Sequence, residues 1–369
     1  MRIATFNMEN LFTRPVAMGY QDSAQAAAVL QDFDELNRLI GAATYDTATK
    51  DKLKTLLEKY DFQSQNNKGD GLIRLHEIRE KLYKVPQGTQ QVEIVAKGRG
   101  SWVGWFELVR EDINWPAIEN TGRVVDAVDA DVLLTVEVED RLTLERFNRQ
   151  VLAKKFNAAY AHHLLVDGND TRGIDIGLYS RFPILGVRSH SDEEQNGQRI
   201  FSRDCPEFDL ELPGGQRLVV LGNHFKSKGY GPTNTSAAKR LKQAKRAKAI
   251  YQAALARSPL VVVAGDLNDT PASPPITALT TGTQLKDAMK HPTYTSKPNA
   301  KPGTYETGNS TNQKIDYLFL SPALFQAVTD VDVERRGVYA PVAGNPFPTV
   351  TSKVNQASDH GALWADVNV

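Results

Sequence analysis

The chain contains seven short apolar runs that end in polar residues. They are 2–10, 129–140, 173–181, 216–228, 259–269, 313–322 and 357–367. The fifth run, PLVVVAGDLND, places Asp266 and Asn268 directly after a valine-rich stretch. A continuous apolar run of this length is typical of a strand that is covered on both faces. Each run therefore predicts a buried strand with polar side chains at its carboxyl end.

Helical patterns separate several of these predicted strands. Apolar residues recur at the spacing of a helix over 116–129, 141–156 and 235–257. Strands that alternate with helices predict an α/β fold, in which ligands bind at the carboxyl ends of the strands. Taken alone, residues 266–271 have a second interpretation, because Asp, Asn and Thr before a proline also form ordinary turns.

Residues 13–115 do not follow this alternation. They show helical patterns at about 24–60 and 72–84 and a hairpin-like pattern over 91–109. We interpret the segment as an insertion, between the first core strand and the next, within a single domain that spans residues 1–369.

Composition and charge restrict the function only weakly. The 369 residues include 44 Lys plus Arg and 44 Asp plus Glu, so net charge gives no indication of a partner. The distribution is uneven, because 212–265 holds ten Lys or Arg and no acidic residue. This segment predicts either a basic face for an anionic substrate or a solvated helix surface. The single cysteine, Cys205, excludes an intramolecular disulfide and a multi-cysteine metal cluster.

The sequence predicts neither a membrane span nor a signal peptide. No run of about 18 apolar residues occurs, and the chain opens directly on the strand-like MRIATFNMENLF. As written, the chain predicts a cytoplasmic protein. A secreted protein is the alternative, if a leader was removed and a Met added.

The predicted strand ends carry carboxylates, amides and histidines together. The set is Asn7, Glu9, Glu137, His224, Asp266, Asn268, Asp316, Asp359 and His360. Oxygen ligands without a thiolate suit Mg²⁺, with Mn²⁺ or Ca²⁺ as alternatives. A histidine whose tautomer is set by a carboxylate can hydrogen-bond a phosphate or move a proton. This combination predicts metal-assisted hydrolysis of a phosphoester.

Seven sequence blocks, in this order, resemble the endonuclease/exonuclease/phosphatase superfamily, which includes pancreatic deoxyribonuclease and the apurinic/apyrimidinic exodeoxyribonucleases. They are ATFNMENL, ADVLLTVEVED, GNDTRGIDIGLYSRFPI, NHFKSKG, GDLNDTP, KIDYLFLS and SDHGALWADV. The resemblance covers 1–12 and roughly 116–369 and is to the bacterial nuclease-like branch. It implies a four-layer α/β sandwich of two packed mixed β-sheets flanked by helices, interrupted by the inserted helical and hairpin segment.

The resemblance implies metal-binding roles for four residues. Glu137 resembles the main metal ligand, Asn7 the supporting amide and Asp359 a metal-side acid. Glu9 resembles an acidic residue near the metal, and capping of a loop is its alternative role. Val136 stands where the superfamily usually has Gln. Because strand alternation points residue 136 away from residue 137, we expect the ligand role of Glu137 to persist.

The resemblance implies catalytic roles for five further residues. Asp266 resembles the carboxylate that orients or activates the attacking water, and Asn268 resembles its partner on the scissile phosphate. His360 resembles the phosphate-contacting histidine that Asp316 polarises, and His224 resembles the second histidine.

Three residues resemble substrate-phosphate contacts: Arg172, Asn223 and Lys226. For Lys226 a solvated surface position is the alternative. The sequence thus predicts a nuclease that acts on DNA or RNA as its partner, and it implies no stable protein partner.

Two other classes of function stay open. One is a small-molecule or lipid phosphoesterase of the inositol phosphatase or sphingomyelinase type, which an exposed apolar hairpin at 100–106 would favour. The other is a catalytically silent binding module, which the competent side chain at every motif position disfavours.

Overall fold

The computed structural model describes residues 1–9, 11, 16–19, 23–64, 71–110, 114–170, 173–228 and 233–369. The strands are β1 Arg2–Asn7, β2 Ile73–Arg79, β3 Tyr83–Lys84, β4 Glu93–Ile94, β5 Val103–Leu108, β6 Val132–Val138, β7 His162–Val166, β8 Asp175–Ser180, β9 Ile184–Arg188, β10 Glu194–Gln195, β11 Gln198–Arg199, β12 Glu207–Glu211, β13 Arg217–His224, β14 Leu260–Asp266, β15 Lys286–Asp287, β16 Asp316–Leu320, β17 Val328–Glu334 and β18 Ala362–Val367. The helices are α1 Ser23–Ile40, α2 Thr47–Lys59, α3 Trp115–Val128, α4 Arg141–Phe147, α5 Thr233–Leu255, α6 Pro274–Thr280, α7 Pro292–Thr295 and α8 Pro322–Gln326, and α4 continues as a π-helix over Asn148–Phe156.

Two six-stranded sheets form the centre of the fold. The first has the order β17-β18-β1-β6-β8-β7, and the second has the order β15-β16-β14-β13-β12-β9. Both are mixed, because the pairs β1–β6 and β13–β14 are parallel and the other pairs are antiparallel. Alternate apolar residues of both sheets share one buried cluster, which includes Val132, Ile176, Val220 and Val262, so the sheets pack face to face.

Helices cover the outer face of each sheet. On the first sheet, Phe6 and Leu133 pack with Ile118 and Val125 of α3. On the second sheet, the odd-numbered residues of β14 pack with Ile250 and other residues of α5. Every residue of β14 is therefore buried, which explains its continuous apolar sequence. The predicted four-layer α/β sandwich is confirmed.

The chain divides into two compact units by its internal contacts. The core unit comprises Met1–Phe12, Ile113–Lys228 and Asn234–Val369, and the second unit comprises Thr13–Asp112 with Gly229–Thr233. The second unit has its own core, in which the indole nitrogen of Trp102 donates to the hydroxyl of Tyr45 at 2.9 Å. That this segment is an insertion within a single domain stays a prediction.

Two predictions within the second unit are wrong. Residues 72–84 are not helical: they form β2 and β3. Residues 91–109 do not form a hairpin, because β5 pairs with β2 and β4 pairs with β3. The apolar positions of LIRLHEIREKL fit the spacing of a helix as well as that of a strand, and pairing with β5 decides between them.

No helix among the described residues is both long enough and apolar enough to cross a membrane.

Candidate active site at the strand ends

The two sheets bring four predicted site residues to one edge. Asn7 ends β1, His224 ends β13 and Asp266 ends β14, while Asp316 begins β16, which runs the opposite way. His224 pairs with Asp266, and Asp266 pairs with Asp316. Each of the four lies an even number of residues from the residues of its strand that face the other sheet, so its side chain points in the same direction as theirs. Their side chains therefore continue the inter-sheet layer at its polar end.

His360 and Asp316 form a buried hydrogen-bonded pair. The Nδ1 atom of His360 lies 2.8 Å from Oδ2 of Asp316, and the hydroxyl of Thr304 donates to the same oxygen at 2.7 Å. The Nε2 atom of His360 lies 3.6 Å from a carboxylate oxygen of Asp359. Burial lowers the pKa of His360, but Asp316 and Asp359 outweigh burial and raise its pKa well above the ordinary range. These carboxylates thus favour the protonated imidazolium form of His360, the form that can stabilise a phosphate.

Asp266 is buried among polar groups. Its carboxylate accepts from the backbone N–H of Asn268 at 2.8 Å and from the amide of Asn7 at 3.4 Å. Burial and the nearby Asp316 carboxylate raise the pKa of Asp266 to about 7. A carboxylate with a pKa near neutrality suits a general base. The hydrogen bond from the N–H of Asn268 to Asp266 also closes a local turn. The turn that the sequence offered as a second interpretation therefore holds the Asp266 carboxylate in place.

The glycine before Asp266 is required by the pairing of β13 with β14. Gly265 has a φ of +125°, and a Cβ atom there would lie 1.9 Å from the carbonyl oxygen of Asn223. No larger residue fits at this distance. Gly265 therefore allows Asp266 to lie directly beside His224.

The amide of Asn268 has a determined orientation. Its Nδ2 atom donates to the carbonyl of Phe225 at 3.2 Å and to Oδ2 of Asp266 at 3.1 Å. Both partners are acceptors, so the nitrogen and not the oxygen must face them. Because both N–H groups are engaged, Asn268 presents its oxygen elsewhere. An amide oxygen accepts from water or binds a cation, whereas it does not donate to a phosphate oxygen.

Glu137 lies on a β-bulge at the end of β6. The pairing with β8 shifts between Val136 and Val138, and Glu137 has a φ of +61°, in the left-handed region. The simple alternation expected at residues 136 and 137 does not hold at this bulge. Without the bulge, the alternation along β6 would direct the Glu137 side chain to the outer face of the sheet, where Leu133 lies. The bulge instead brings Glu137 Oε1 to 3.6 Å from Nε2 of His224.

Glu9 and Asp359 lie in contact beside this group. The backbone N–H of Asp359 donates to Glu9 Oε2 at 3.1 Å, and the backbone N–H of Glu9 donates to Asn7 Oδ1 at 3.0 Å. Glu9 also has a left-handed φ of +48°. The structure thus joins the first strand end to the loop that carries Asp359 and His360.

Two of the three predicted phosphate contacts, Asn223 and Lys226, lie within the described residues. Asn223 directly precedes His224 in β13, so its side chain points to the opposite face of the sheet. Its amide donates to the carbonyl of Leu221 at 3.3 Å. The backbone N–H of Lys226 donates to Gln243 at 2.9 Å. Arg172 lies outside the described residues. Their roles stay predictions.

A divalent metal ion fits the chemistry of the buried carboxylates. Among the described residues, Asp266, Asp316 and His360 each offer a donor atom, and these atoms lie within 4.8 Å of one another. The described hydrogen bonds of Asp266 and Asp316 come from amides, a hydroxyl and a histidine, with no Lys or Arg side chain among them. His360 can offset only one of these two buried carboxylates, and a metal ion could balance the other. The predicted ligand set of Glu137, Asp359, Asn7 and Glu9 stays a prediction.

The sequence did not reveal Thr304 and Tyr305 as site residues. Thr304 donates to Asp316, and the ring of Tyr305 packs against His360 with centroids 4.9 Å apart. The Asp359 carboxylate, burial and nearby acidic groups raise the pKa of Tyr305. Both residues precede β16 in a segment without strand or helix periodicity, so the sequence carries no signal for them.

One basic residue of the segment 212–265 is buried, although both interpretations of that segment predicted basic residues at the surface. Arg240 donates from Nε to Asp269 at 2.9 Å and from Nη1 to the carbonyl of Lys226 at 3.0 Å. That prediction is wrong for Arg240, because residue 240 lies on the face of α5 that packs against the second sheet. It holds the loop that follows His224.

Comparison with known proteins agrees with the resemblance in the sequence. The model of the Endonuclease/Exonuclease/phosphatase family matches residues 116–360, which is more than half of the chain. A search among curated proteins finds no match.

Similar solved structures come from several organisms. An endonuclease/exonuclease/phosphatase from Beutenbergia cavernae DSM 12333 is 18% identical over 70% of this chain and 66% of that chain, with a TM-score of 0.49. Truncated TDP2 from Caenorhabditis elegans is 18% identical over 68% of this chain and 91% of that chain, with a TM-score of 0.47. A mannosyl-6-phosphatase from Bacteroides thetaiotaomicron VPI-5482 is 17% identical over 69% of this chain and 90% of that chain, with a TM-score of 0.48. This chain spans about two thirds of the length of the first protein. These identities are too low to assign a substrate.

Proposed function

Because this chain belongs to the endonuclease/exonuclease/phosphatase family, whose members are phosphoester hydrolases, we propose that it is a metal-dependent nuclease that hydrolyses DNA or RNA. The observation that carries the proposal is the group at the strand ends. His224, Asp266, Asp316 and His360 are all buried there, and Glu137 is directed toward His224 by a bulge.

In this proposal Asp266 and Asn268 position the attacking water. The Asn268 oxygen accepts one hydrogen bond from the water, and Asp266 takes its proton during in-line attack. The new phosphorus–oxygen bond forms as the bond to the leaving oxygen breaks. His224 gives a proton to that leaving oxygen, and His360, held by Asp316, stabilises the charge on the phosphate.

A divalent ion would be held by carboxylates of the same group. Either the Asp266 and Asp316 pair or the predicted Glu137 and Asp359 set would supply the oxygen ligands. When bound, such an ion would supply positive charge to offset the negative charge of the phosphate.

Exposed cations such as Lys228 and Lys245 support a nuclease. The basic side chains of α5 are largely committed to other parts of the protein: Lys242 donates to the carbonyl of Gln195 at 3.2 Å, and Arg246 pairs with Glu193 at 2.5 Å. Lys245 is exposed, and Lys228 is about half exposed although it pairs with Asp269. The phosphate backbone of a nucleic acid would bind such exposed cations.

A lipid phosphoesterase is the second candidate, and one feature of the second unit favours it. On the ribbon formed by β2 and β5, Trp105 is 46% exposed and Ile78 is 67% exposed. Val103, two residues before Trp105, is also exposed. Trp102 of the predicted exposed hairpin is buried. Exposed tryptophan and aliphatic side chains are suited to a lipid surface.

Digestion of a substrate panel tests the proposal. The panel contains plasmid DNA, linear duplex, single-stranded DNA, RNA, a small phosphoester and phospholipid vesicles, each with Mg²⁺ or Mn²⁺ and with an EDTA control. We expect cleavage of at least one nucleic acid that is lost with EDTA and in Glu137→Ala. Hydrolysis of the small phosphoester or the vesicles alone would overturn the nuclease proposal and favour the second candidate.

A further inference from the structure

A buried arginine outside the predicted site ties two loops of the core unit together. The side chain of Arg203 is 1% exposed. Its Nε atom lies 2.8 Å from Oδ2 of Asp170, and its Nη1 atom donates to the carbonyl of Phe225 at 3.0 Å. Asp170 belongs to the GNDTRG block, and Phe225 follows His224 directly. Arg203 therefore links the end of β13 to the loop before β8.

The backbone around Arg203 is built for this link. The N–H of Asn169 donates to the carbonyl of Arg203 at 3.1 Å. At Gly168, a Cβ atom would lie 2.8 Å from the carbonyl carbon of Arg203, so only glycine allows this approach. The two segments are thus in close backbone contact, and the buried guanidinium has a defined position.

The carbonyl of Phe225 is shared between Arg203 and the predicted active site. It accepts from Nη1 of Arg203 and also from Nδ2 of Asn268 at 3.2 Å. The N–H of the same residue donates to the carbonyl of Asp266 at 3.0 Å. A shift of this one peptide group would change the orientation of the Asn268 amide. The described polar contacts of the Arg203 side chain are to Asp170 and the Phe225 carbonyl.

We propose that Arg203 is a positioning residue. Anchored by Asp170, Arg203 fixes the Phe225 carbonyl. This carbonyl in turn holds the Asn268 amide with its oxygen toward the attacking water. This inference rests on the proposed function for the role of Asn268 in hydrolysis. An arginine is needed because its planar fork reaches a carboxylate and a carbonyl at once. A lysine at 203 can pair with Asp170 but cannot span both partners.

A structure of the Arg203→Met variant tests the geometric half of the proposal without any activity. We expect the Asn268 amide to turn, or its contact to the Phe225 carbonyl to lengthen beyond hydrogen-bond distance. Arg203→Lys provides the same measurement if loss of the buried charge pair prevents Arg203→Met from folding. Asn268 and Phe225 unmoved in the variant would overturn the inference, whether or not the protein hydrolyses any substrate.

A double-mutant cycle tests the functional half. With bis(4-nitrophenyl) phosphate and Mn²⁺, Arg203→Met is expected to lower kcat by roughly 10- to 100-fold, since misplaced catalytic groups cost about that much. KM is expected to stay nearly constant, because the lost effect belongs to the chemical step. In the Asn268→Ala background the same substitution should change kcat by less than about threefold, because coupled residues are not additive.

Arg199→Met is the matched control on the same segment. Arg199 is partly exposed and pairs with Asp192 at 2.7 Å, away from the Phe225 carbonyl. We expect it to leave kcat and the Asn268 contact unchanged. Equal losses for Arg203→Met with and without Asn268 would overturn the inference. A wild-type protein without phosphoester hydrolysis would overturn the proposed function instead, and the variant structure would still decide the role of Arg203.

Discussion

Two buried histidines of the core unit, His190 and His360, have similar contacts in very different surroundings. His190 lies with Nδ1 2.8 Å from Glu193 and Nε2 2.8 Å from Glu207. His360 lies with Nδ1 2.8 Å from Asp316. In both cases burial lowers the pKa of the imidazole, and the carboxylates outweigh burial and raise it. The histidine alone therefore does not identify a functional site.

The carboxylates around the two histidines differ in how their charge is balanced. Arg246 binds Glu193 through two nitrogens, each at 2.5 Å, and Arg257 binds Glu207. Near His360, by contrast, the described hydrogen bonds of Asp266 and Asp316 come from no Lys or Arg side chain. The carboxylates of the His190 cluster are thus paired with arginines as well as with the histidine, whereas, among the described residues, Asp316 is paired with His360 alone and the cluster could accept a further cation. Whether the buried carboxylates are paired with Lys or Arg side chains thus distinguishes a stabilising ion network from a candidate metal centre.

Removal of a group from the His360 cluster is expected to have the largest effect. Asp266→Ala or His360→Ala should lower turnover by roughly 10²–10⁴-fold, the usual contribution of a general acid or base. Asp266→Ala should leave the thermal midpoint nearly unchanged or raised, because it removes a carboxylate that is buried at a cost, whereas His360→Ala should lower it, because Asp316 loses its buried partner. Steady-state kinetics and thermal unfolding check both parts, with His162→Ala as a control outside the site. Either variant retaining most of its activity would contradict the assignment.

The His190 cluster is expected to show the opposite behaviour. His190→Leu should lower the free energy of unfolding by about 3 kcal/mol, because it removes one partner of a buried charge network. Turnover of the folded variant should be nearly unchanged. Urea unfolding and kinetics below the midpoint test this. A variant that keeps its stability but loses activity would place His190 in the catalytic machinery.

The same cluster predicts a dependence of stability on pH. Because the pKa of His190 is raised in the folded protein, its contribution is fully present below the unfolded value of about 6.5 and is lost as pH rises through the folded value. The pKa of Glu207 behaves oppositely: burial raises it, but His190 and Arg257 outweigh burial and lower it to about 2. Its contribution is present above the unfolded value and is lost as pH falls toward about 2.

Unfolding free energies measured from about pH 6 to about pH 9 should therefore decline more steeply in the wild type than in His190→Gln. Parallel curves for the two proteins would show that folding does not raise the pKa of His190.

Metal addition should stabilise the His360 cluster only. At a concentration about 100 times Kd, Mg²⁺ or Mn²⁺ is expected to raise the free energy of unfolding by about 2.7 kcal/mol, and EDTA should reverse it. Asp316→Asn and Glu137→Gln distinguish the two ligand sets, since the true ligand set loses the stabilisation. His190→Gln should keep it. No stabilisation by Mg²⁺, Mn²⁺ or Ca²⁺ would contradict a metal centre.

The smallest effect is expected at the exposed ribbon of the second unit. For a nuclease, Trp105→Ser should change stability by less than about 0.5 kcal/mol, as surface substitutions do, and leave cleavage of DNA unchanged. Loss of phospholipid hydrolysis on vesicles, with soluble phosphoester hydrolysis intact, would instead support the lipid phosphoesterase. Val187→Ser, at an exposed edge-strand position of the core unit, is the matched control.

Much of the core fold was predictable because its strands are buried on both faces. A strand such as β14 needs an unbroken apolar run, and the change to Asp266 marks the point where the apolar layer ends. Residues 72–84 were predicted as a helix because their apolar spacing fits two periods, and only pairing with β5 settles the choice. The buried position of Arg240 was also not predictable, since charge alone does not reveal a carboxylate partner such as Asp269.

The sequence alone was enough to predict seven of the twelve strands in the two large sheets, the family resemblance and the residue types at the strand ends, because these depend on local apolar runs and short motifs. Tertiary structure decided which of these residues meet. The bulge that directs Glu137 to His224, the Thr304 hydroxyl on Asp316 and the Phe225 carbonyl shared by Arg203 and Asn268 all join residues far apart in the chain. Such contacts depend on backbone geometry and register, and no local pattern encodes them.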